Sequence, residues 1–231
     1  MNPLLRSFFG SLTIFFCLMA YQEQVAAECC GKIDLGPAYV HVDVLESNKT
    51  VKRLDMAAVR SDATLSILKG QGWVVKPFFI YAQGRGELLS TGVGFGHCTP
   101  ICDWLTVTPS AGCAYTYFTT HVHLPLFGLR HQREKFQSAS PYVALEATAT
   151  LMKGLRLCGS FQYAWSRTYT RIEKFFRDTN SAEGPSYSAM LEYDLSDEWS
   201  LQLGGAYNIS LSHEKHGLRA YGGKIGIARW F

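Results

Sequence analysis

The chain has 231 residues, enough for one domain or two small ones, and carries a net charge of +3 at a mean hydropathy of −0.01. With 47% hydrophobic and 18% charged residues, the composition argues against disorder, and the small net charge argues against nucleic acid as a partner. Beyond residue 20, no apolar stretch approaches the roughly 18 residues of a membrane-spanning helix, which excludes a bundle of such helices.

The N-terminus has the features of an export signal. Arg6 precedes an apolar run of thirteen residues at 8–20, and residues 25–27 (Val-Ala-Ala) suit signal peptidase. This pattern predicts a signal peptide over 1–27 and an exported domain over 28–231. The apolar run is too short to span a membrane, and polar residues follow at once, so we do not expect an anchor.

Apolar and polar residues alternate with a period of two through most of the remaining chain. This period indicates strands with one apolar face, and no amphipathic helix stands out. Ten stretches show the alternation: 33–46, 58–68, 73–83, 88–97, 104–118, 138–150, 154–169, 186–195, 199–209 and 218–231. Their lengths exceed those of ordinary soluble strands and suit tilted strands that cross a bilayer.

The connections between these strands alternate between short and long. Short turns are expected at 69–72, 97–103, 151–153 and 196–198, and longer charged loops at 47–57, 119–137, 170–184 and 212–217, with a brief exception at 83–87. This asymmetry is typical of membrane barrels. We therefore predict an all-β, antiparallel, up-and-down transmembrane β-barrel of ten strands, with eight strands or a soluble sandwich as the alternatives.

Tryptophan and tyrosine positions support two aromatic girdles at the membrane interfaces. Trp73, Trp104 and Trp199 each open a strand after a short turn, and Trp230 closes the last strand at the same end. The other end receives Trp165, Tyr81, Tyr117, Tyr187 and Tyr207. Amphipathic rings prefer the depth of the lipid headgroups, so this distribution fits a spanning barrel.

The last strand resembles the closing strand of bacterial outer-membrane β-barrels. It ends in Phe231, with Tyr221, Ile225 and Ile227 on the outward face, although Arg229 shares that face. The segments 196–201 and 105–112 are also similar to those of small OmpA-like and opacity-type proteins. The resemblance implies location in the bacterial outer membrane, contact with its lipid and lipopolysaccharide, and recognition of these terminal residues by the barrel-assembly machinery.

Charged side chains are predicted inside the barrel. Taking one face of each strand as inward gives five acids, four bases and one histidine: His41, Asp43, Arg60, Asp62, Lys76, Glu146, Arg156, Glu192, Asp194 and Lys224. Buried charges are costly unless paired, so we expect an ion-paired, plugged lumen. A narrow pore is the alternative, because Ser90, Gly92, Gly94 and Gly96 leave space for a curve or for water.

Four cysteines fall at the short-turn end of the predicted barrel. Cys98 and Cys102 could form a small disulfide, or could pair with Cys29 and Cys30, which could also reach another chain. The cysteine content is similar to that of chlamydial-type envelope proteins, a resemblance that implies disulfide-linked envelope partners. His97 with the two nearby thiols offers only three ligands on a tight turn, so we expect no metal site.

The predicted surface loops are rich in basic residues and histidine. Candidate residues for binding an anionic group, such as a lipopolysaccharide phosphate or a host glycan, are His121, His123, Arg130, His131, Arg133, Lys135, Arg171, Lys174 and Arg177. The simpler interpretation is solvated loop charge.

Neither a catalytic motif nor a cofactor motif is present in the sequence. No G-x-S-x-G, H-E-x-x-H or P-loop pattern occurs, so we expect no enzyme and no cofactor. The predicted function is structural or surface interaction, with a role in envelope cross-linking as a hypothesis. A small diffusion pore is the first alternative, and a lipid-acting enzyme is the second.

Overall fold

The computed structural model describes residues 31–67, 71–124, 129–172 and 176–231. Within these ranges, the side chains of 121–124, 129–133, 172 and 176–178 are not described. The predicted signal segment, Cys29 and Cys30 therefore lie outside the described residues.

Ten long antiparallel strands form a closed barrel. With the additional short strand β5, the strands are β1 (Lys32–Glu46), β2 (Lys49–Ser66), β3 (Trp73–Gly84), β4 (Gly86–His97), β5 (Thr99–Cys102), β6 (Leu105–Leu124), β7 (Leu129–Met152), β8 (Leu155–Ile172), β9 (Phe176–Asp194), β10 (Trp199–Ser212) and β11 (Gly217–Trp230). Pairing of β1 with β11 and of β4 with β6 closes the ring, whereas the four-residue β5 pairs only with β6. The predicted all-β barrel of ten strands is confirmed, and the eight-strand and sandwich alternatives are wrong.

The alternation seen in the sequence corresponds to the two faces of the barrel wall. Along β11, Ile225 and Ile227 point outward and are 57% and 45% exposed, whereas Lys224 and Ala228 point inward and are buried. Other strands show the same outward apolar residues, including Leu35, Val143 and Leu145. Such a band is unfavourable in water and suits lipid. Among the described residues, no helix is long and apolar enough to cross a membrane.

The two ends of the barrel differ in their connections. At the short-turn end, residue 31, Phe231 and the β2–β3, β7–β8 and β9–β10 turns lie together. At the long-hairpin end, β6, β7, β8 and β9 are 20, 24, 18 and 19 residues long. The predicted loops 119–137 and 170–184, and most of 47–57, are therefore mainly strand, which corrects the loop prediction. Outside the lipid, both faces of a strand can be polar. The strands of these hairpins therefore continue there without alternating apolar and polar residues.

An apolar core lies in the long-hairpin half of the lumen. Val42, Leu54, Met56, Ala82 and Phe118 are almost completely buried there, although they come from β1, β2, β3 and β6. Because β6 is not a neighbour of β1 or β2, these contacts cross the inside of the barrel. The ring of Phe118 stacks on that of Phe136, with centroids 5.7 Å apart.

Candidate functional site

Most of the predicted lumen charges point inward. The inward residues are Arg60, Asp62, Lys76, Glu146, Arg156, Glu192, Asp194 and Lys224, and they are joined by Lys32 and Asp34. These ten residues are called the ion-paired layer below. It holds five cations and five carboxylates, so its formal charges cancel. Lys32 and Asp34 were not predicted, because β1 carries polar residues on both faces. Their alternation with the apolar Ile33 and Leu35 was the signal that 32 and 34 face inward.

The prediction that His41 and Asp43 line the lumen is wrong. Both lie on the same face of β1 as the outward, exposed Tyr39. The ring of His41 stacks on that of Tyr221, at a centroid distance of 4.6 Å. These side chains lie past the apolar part of β1, where polar groups on the outer wall have no lipid to face. Polar residues at odd and at even positions of β1 therefore lie on opposite sides of the barrel wall.

A hydrogen-bonded chain connects the polar residues of that outer cluster. His41 Nδ1 lies 2.7 Å from an Asp55 carboxylate oxygen, and His41 Nε2 lies 3.3 Å from one of Asp43. The Asp55 carboxylate also accepts a hydrogen bond from Tyr39, and Arg219 Nη2 donates to Asp43 at 2.7 Å. Since both ring nitrogens face carboxylates, the geometry suits the doubly protonated imidazolium.

Glu192 is the centre of the ion-paired layer. It is 0% exposed. Its carboxylate accepts hydrogen bonds from five side chains on four other strands: Ser200 Oγ (2.5 Å), Lys32 Nζ (2.9 Å), Trp230 Nε1 (3.1 Å), Gln202 Nε2 (3.2 Å) and Arg156 Nη2 (3.3 Å). Trp230 therefore points into the lumen, which corrects its predicted place in the aromatic girdle. A buried carboxylate with this many donors is satisfied, so its burial is not a defect.

The other ion pairs of the layer span the remaining width of the lumen. Lys224 bonds to Asp34 and, at 3.2 Å, to Asp62. Arg60 Nε pairs with the same Asp62 at 2.7 Å. Lys76 on β3 meets Glu146 on β7 at 2.6 Å, which joins two strands that are not neighbours in the wall.

Two glycines, Gly94 on β4 and Gly112 on β6, lie against the ring of Tyr142. A Cβ atom on Gly94 would lie 2.7 Å from the hydroxyl of Tyr142, and one on Gly112 would lie 2.7 Å from the same ring. The Tyr142 side chain is buried. The small residues therefore make room for the aromatic side chain of Tyr142 inside the barrel. Nearby hydroxyl groups also pair across strands, as in Ser140 with Ser166 at 2.8 Å and Ser160 with Ser188 at 2.6 Å.

The cysteines occupy three different environments. Cys98 is disulfide-bonded, whereas Cys102, Cys113 and Cys158 are free. A bond between Cys98 and Cys102 is therefore not formed. Cys102 and Cys113 are exposed, and Cys158 faces the lumen, where its sulfur accepts a hydrogen bond from Thr148 at 3.5 Å. Cross-linking through Cys29, Cys30, Cys98 or Cys102 stays a prediction.

Some of the predicted surface-binding residues align at the long-hairpin end. In the backbone register, Lys135 on β7 is directly opposite Arg171 on β8, which in turn is opposite Arg177 on β9. His121 on β6 is opposite Arg133 on β7. The side chains of His121, His123, Arg130, His131, Arg133 and Arg177 are outside the described set, and Lys174 lies outside the described residues.

The predicted assembly residues occupy the outer face of the last strand. Tyr221, Ile225, Ile227 and Phe231 are all exposed there. Arg229, on the same face, pairs with Glu198 at 3.3 Å and lies over the ring of Trp199 at 5.6 Å. These contacts hold the charge beside the short-turn end, where a guanidinium can reach water.

In the part of the chain that the structure describes, no group of three or more His, Cys, Asp or Glu side chains is placed to hold a metal ion.

The barrel is similar to solved bacterial outer-membrane proteins. The outer membrane protease OmpT from Escherichia coli is 12% identical, with 91% of this chain and 99% of that chain covered, at a TM-score of 0.54. Neisserial surface protein A is 9% identical over 87% and 97%, at 0.46, and Ail of Yersinia pestis is 12% identical over 88% and 99%, at 0.41. No family model and no curated protein matches. At these identities the likeness shows the fold alone: an outer-membrane β-barrel.

Proposed function

We propose that this outer-membrane barrel is closed to ions and acts through the surface at its long-hairpin end, which we place outside the cell. The observation that supports the proposal is the occupation of the lumen by the ion-paired layer in one half and the apolar core in the other. A solute would have to separate paired charges and then displace packed apolar side chains. The protein then has a structural or surface-interaction role.

Contacts between strands that are not neighbours in the wall support a closed lumen. The Lys76–Glu146 ion pair joins β3 to β7, and a hydrogen bond from Lys52 to Thr120 joins β2 to β6 near the long-hairpin end. Phe118 and Leu54 meet in the core between these two levels. A barrel of about this strand number is just wide enough for side chains to fill, so these contacts can occupy its cross-section.

Single-channel recording of the refolded, heat-modifiable protein in a planar bilayer tests the proposal. We expect no steady openings. Salt-dependent openings of the folded protein would contradict closure and support the pore alternative. In that case, Arg156→Gln or Lys224→Gln should also shift ion selectivity, because both charges lie in the lumen.

The proposed function has no catalytic step. His41 and Asp43 lie on the same face of β1, and the two ring nitrogens of His41 face Asp55 and Asp43. A ring in that state has no lone pair with which to accept a proton from water or a nucleophile. If the protein were a lipid-acting enzyme that used this group, His41→Gln would abolish turnover of a lipid substrate.

Envelope cross-linking is a second candidate function, favoured by the free and exposed Cys102. Its thiolate could attack a partner's disulfide, forming one mixed disulfide and releasing the other partner sulfur as a thiol. Non-reducing gels of native envelopes should show reducible adducts of the wild type that Cys102→Ser removes. Cys158→Ser, inside the lumen, is the matched control and should leave the adducts unchanged. A pattern of monomer alone would contradict this candidate.

A further inference from the structure

A titratable side chain joins three strands on the outer wall. His41 on β1 is directly opposite Asp55 on β2 and Tyr221 on β11, the two neighbouring strands of the wall. It contacts both: Nδ1 lies 2.7 Å from the Asp55 carboxylate, and the imidazole ring stacks on the ring of Tyr221. Because β1 and β11 are the first and last strands, His41 lies on the seam at which the barrel closes.

The surroundings of His41 are charged and titratable on every side. Three strands and one turn supply these groups, which together with His41 are called the His41 cluster: Tyr39 and Asp43 of β1, Arg53 and Asp55 of β2, Arg219 and Tyr221 of β11, and Arg85 of the β3–β4 turn. Asp43 pairs with Arg219 at 2.7 Å. Asp55 has no guanidinium within ion-pair distance among the described residues, so His41 supplies its close positive charge.

Loss of the imidazolium proton weakens each contact of the ring. A neutral imidazole has one donor nitrogen, so one of the two carboxylates then faces a lone pair instead of an N–H group. The hydrogen bond to the other carboxylate loses the positive charge of its donor. The stacked contact with Tyr221 loses its cation–π attraction, which acts within about 6 Å of a ring centroid.

The His41 cluster is connected to the tips of two hairpins at the long-hairpin end. Arg219, which bonds to Asp43, also donates from Nη2 to the hydroxyl of Thr50 at 3.2 Å. Thr50 follows the β1–β2 turn, in which the amide of Asn48 donates to the carbonyl of Lys215 in the β10–β11 turn at 3.0 Å. A change within the cluster can therefore reach both tips.

We infer that the His41 cluster is a pH-sensitive clasp: the protonated ring holds β1, β2 and β11 together, and loss of its proton loosens the two hairpin tips. The hydrogen bond to Asp55 is the main cause that raises the pKa of His41, and the bond to Asp43 adds to it, although burial opposes both. The stabilisation is therefore fully present below the ordinary histidine pKa of about 6.5 and is lost as pH rises through the folded-state value.

Amide hydrogen exchange of the full refolded chain in detergent micelles tests this inference. Protection of residues 45–52 and 211–218 is compared at about pH 5.5 and about pH 9, after correction for the intrinsic exchange rate at each pH. We expect protection at least roughly threefold lower at the higher pH, a modest change because the exposed Asp55 is partly screened by water. His41→Gln, which cannot take up a proton, should show the lower protection at both pH values.

A matched control changes a histidine at the other end of the barrel. His97 Nδ1 faces the hydroxyl of Thr99 at 3.0 Å, so His97→Gln should keep the wild-type pH dependence. Heat modifiability shows whether each variant is folded. If His41→Gln does not fold, an NMR titration of the wild-type His41 ring, assigned by its contact with Tyr221, must follow the same pH range as the protection. Tips insensitive to pH, a pH dependence kept in His41→Gln, or a ring titration out of step with protection would overturn the clasp.

Discussion

Charged side chains meet in the short-turn half of the lumen, whereas an apolar core lies in the long-hairpin half. The charged half is stable only when all its members are present. Glu192 accepts hydrogen bonds from five donors, and each cation of the layer needs a carboxylate. The second half needs only shapes that fit, such as Phe118 against Leu54 and Met56. A lumen can thus be closed by either chemistry, but the two halves should fail differently when one residue is changed.

Removing an aromatic ring from the apolar half should have the largest effect. Phe118→Ala leaves a cavity beside Leu54 and is expected to lower the free energy of unfolding by about 4 kcal/mol. Urea unfolding in detergent micelles measures this change. Phe161→Ala, which removes the same ring from the lipid-facing wall, is the matched control and should cost much less. Equal costs for the two variants would contradict the apolar core.

Neutralising the centre of the charged half should rank second. Glu192→Gln keeps the shape but leaves Lys32 and Arg156 with less compensating charge, at an expected cost of about 3 kcal/mol. Asp194→Asn is the control, because Asp194 is partly exposed and, among the described residues, forms its ion pair with Arg156 alone, at an expected cost below about 1 kcal/mol. The comparison fails if Asp194→Asn is as destabilising as Glu192→Gln under the same titration.

The ion pair that crosses the lumen should contribute less. Lys76 and Glu146 are both partly exposed, so their coupling is expected to be about 1 kcal/mol. A double-mutant cycle with Lys76→Met and Glu146→Gln measures it through unfolding free energies. No coupling would mean that the two walls are not joined at this level.

The smallest effect concerns a carboxyl group near the long-hairpin end. Glu134 lies on β7 beyond the level at which Tyr117 pairs with Gln137, towards the long-hairpin end. Burial raises the pKa of its carboxyl group, although nearby Lys52 opposes the shift. A raised pKa means that the folded state is favoured at low pH and loses stability as pH rises through the folded pKa. Glu134→Gln should therefore stabilise slightly at pH 7 and have no effect at about pH 3. Destabilisation at pH 7 would show that the carboxylate is well paired.

The sequence predicted the barrel well and its interior only in part. Ten alternating stretches predicted ten strands, because lipid outside and packing inside enforce opposite chemistry on successive residues. The alternation ends where both faces can be polar, so His41 and Asp43 were assigned to the wrong side and the hairpin extensions were taken as loops. The cluster around Glu192 joins residues as far apart as Lys32 and Trp230, and no local pattern records which inward residues meet across a closed ring.

The central claim, that the apolar core seals the lumen from outside, is tested most directly at Cys158. This free thiol faces the lumen beyond the core, next to Thr148. A charged, membrane-impermeant thiol reagent is added to intact cells that display the protein, and the peptide containing Cys158 is followed by mass spectrometry. Glu214→Cys, in the exposed β10–β11 turn at the long-hairpin end, is the positive control. We predict that Cys158 stays unmodified while the control thiol reacts; modification of Cys158 from outside would contradict a sealed lumen.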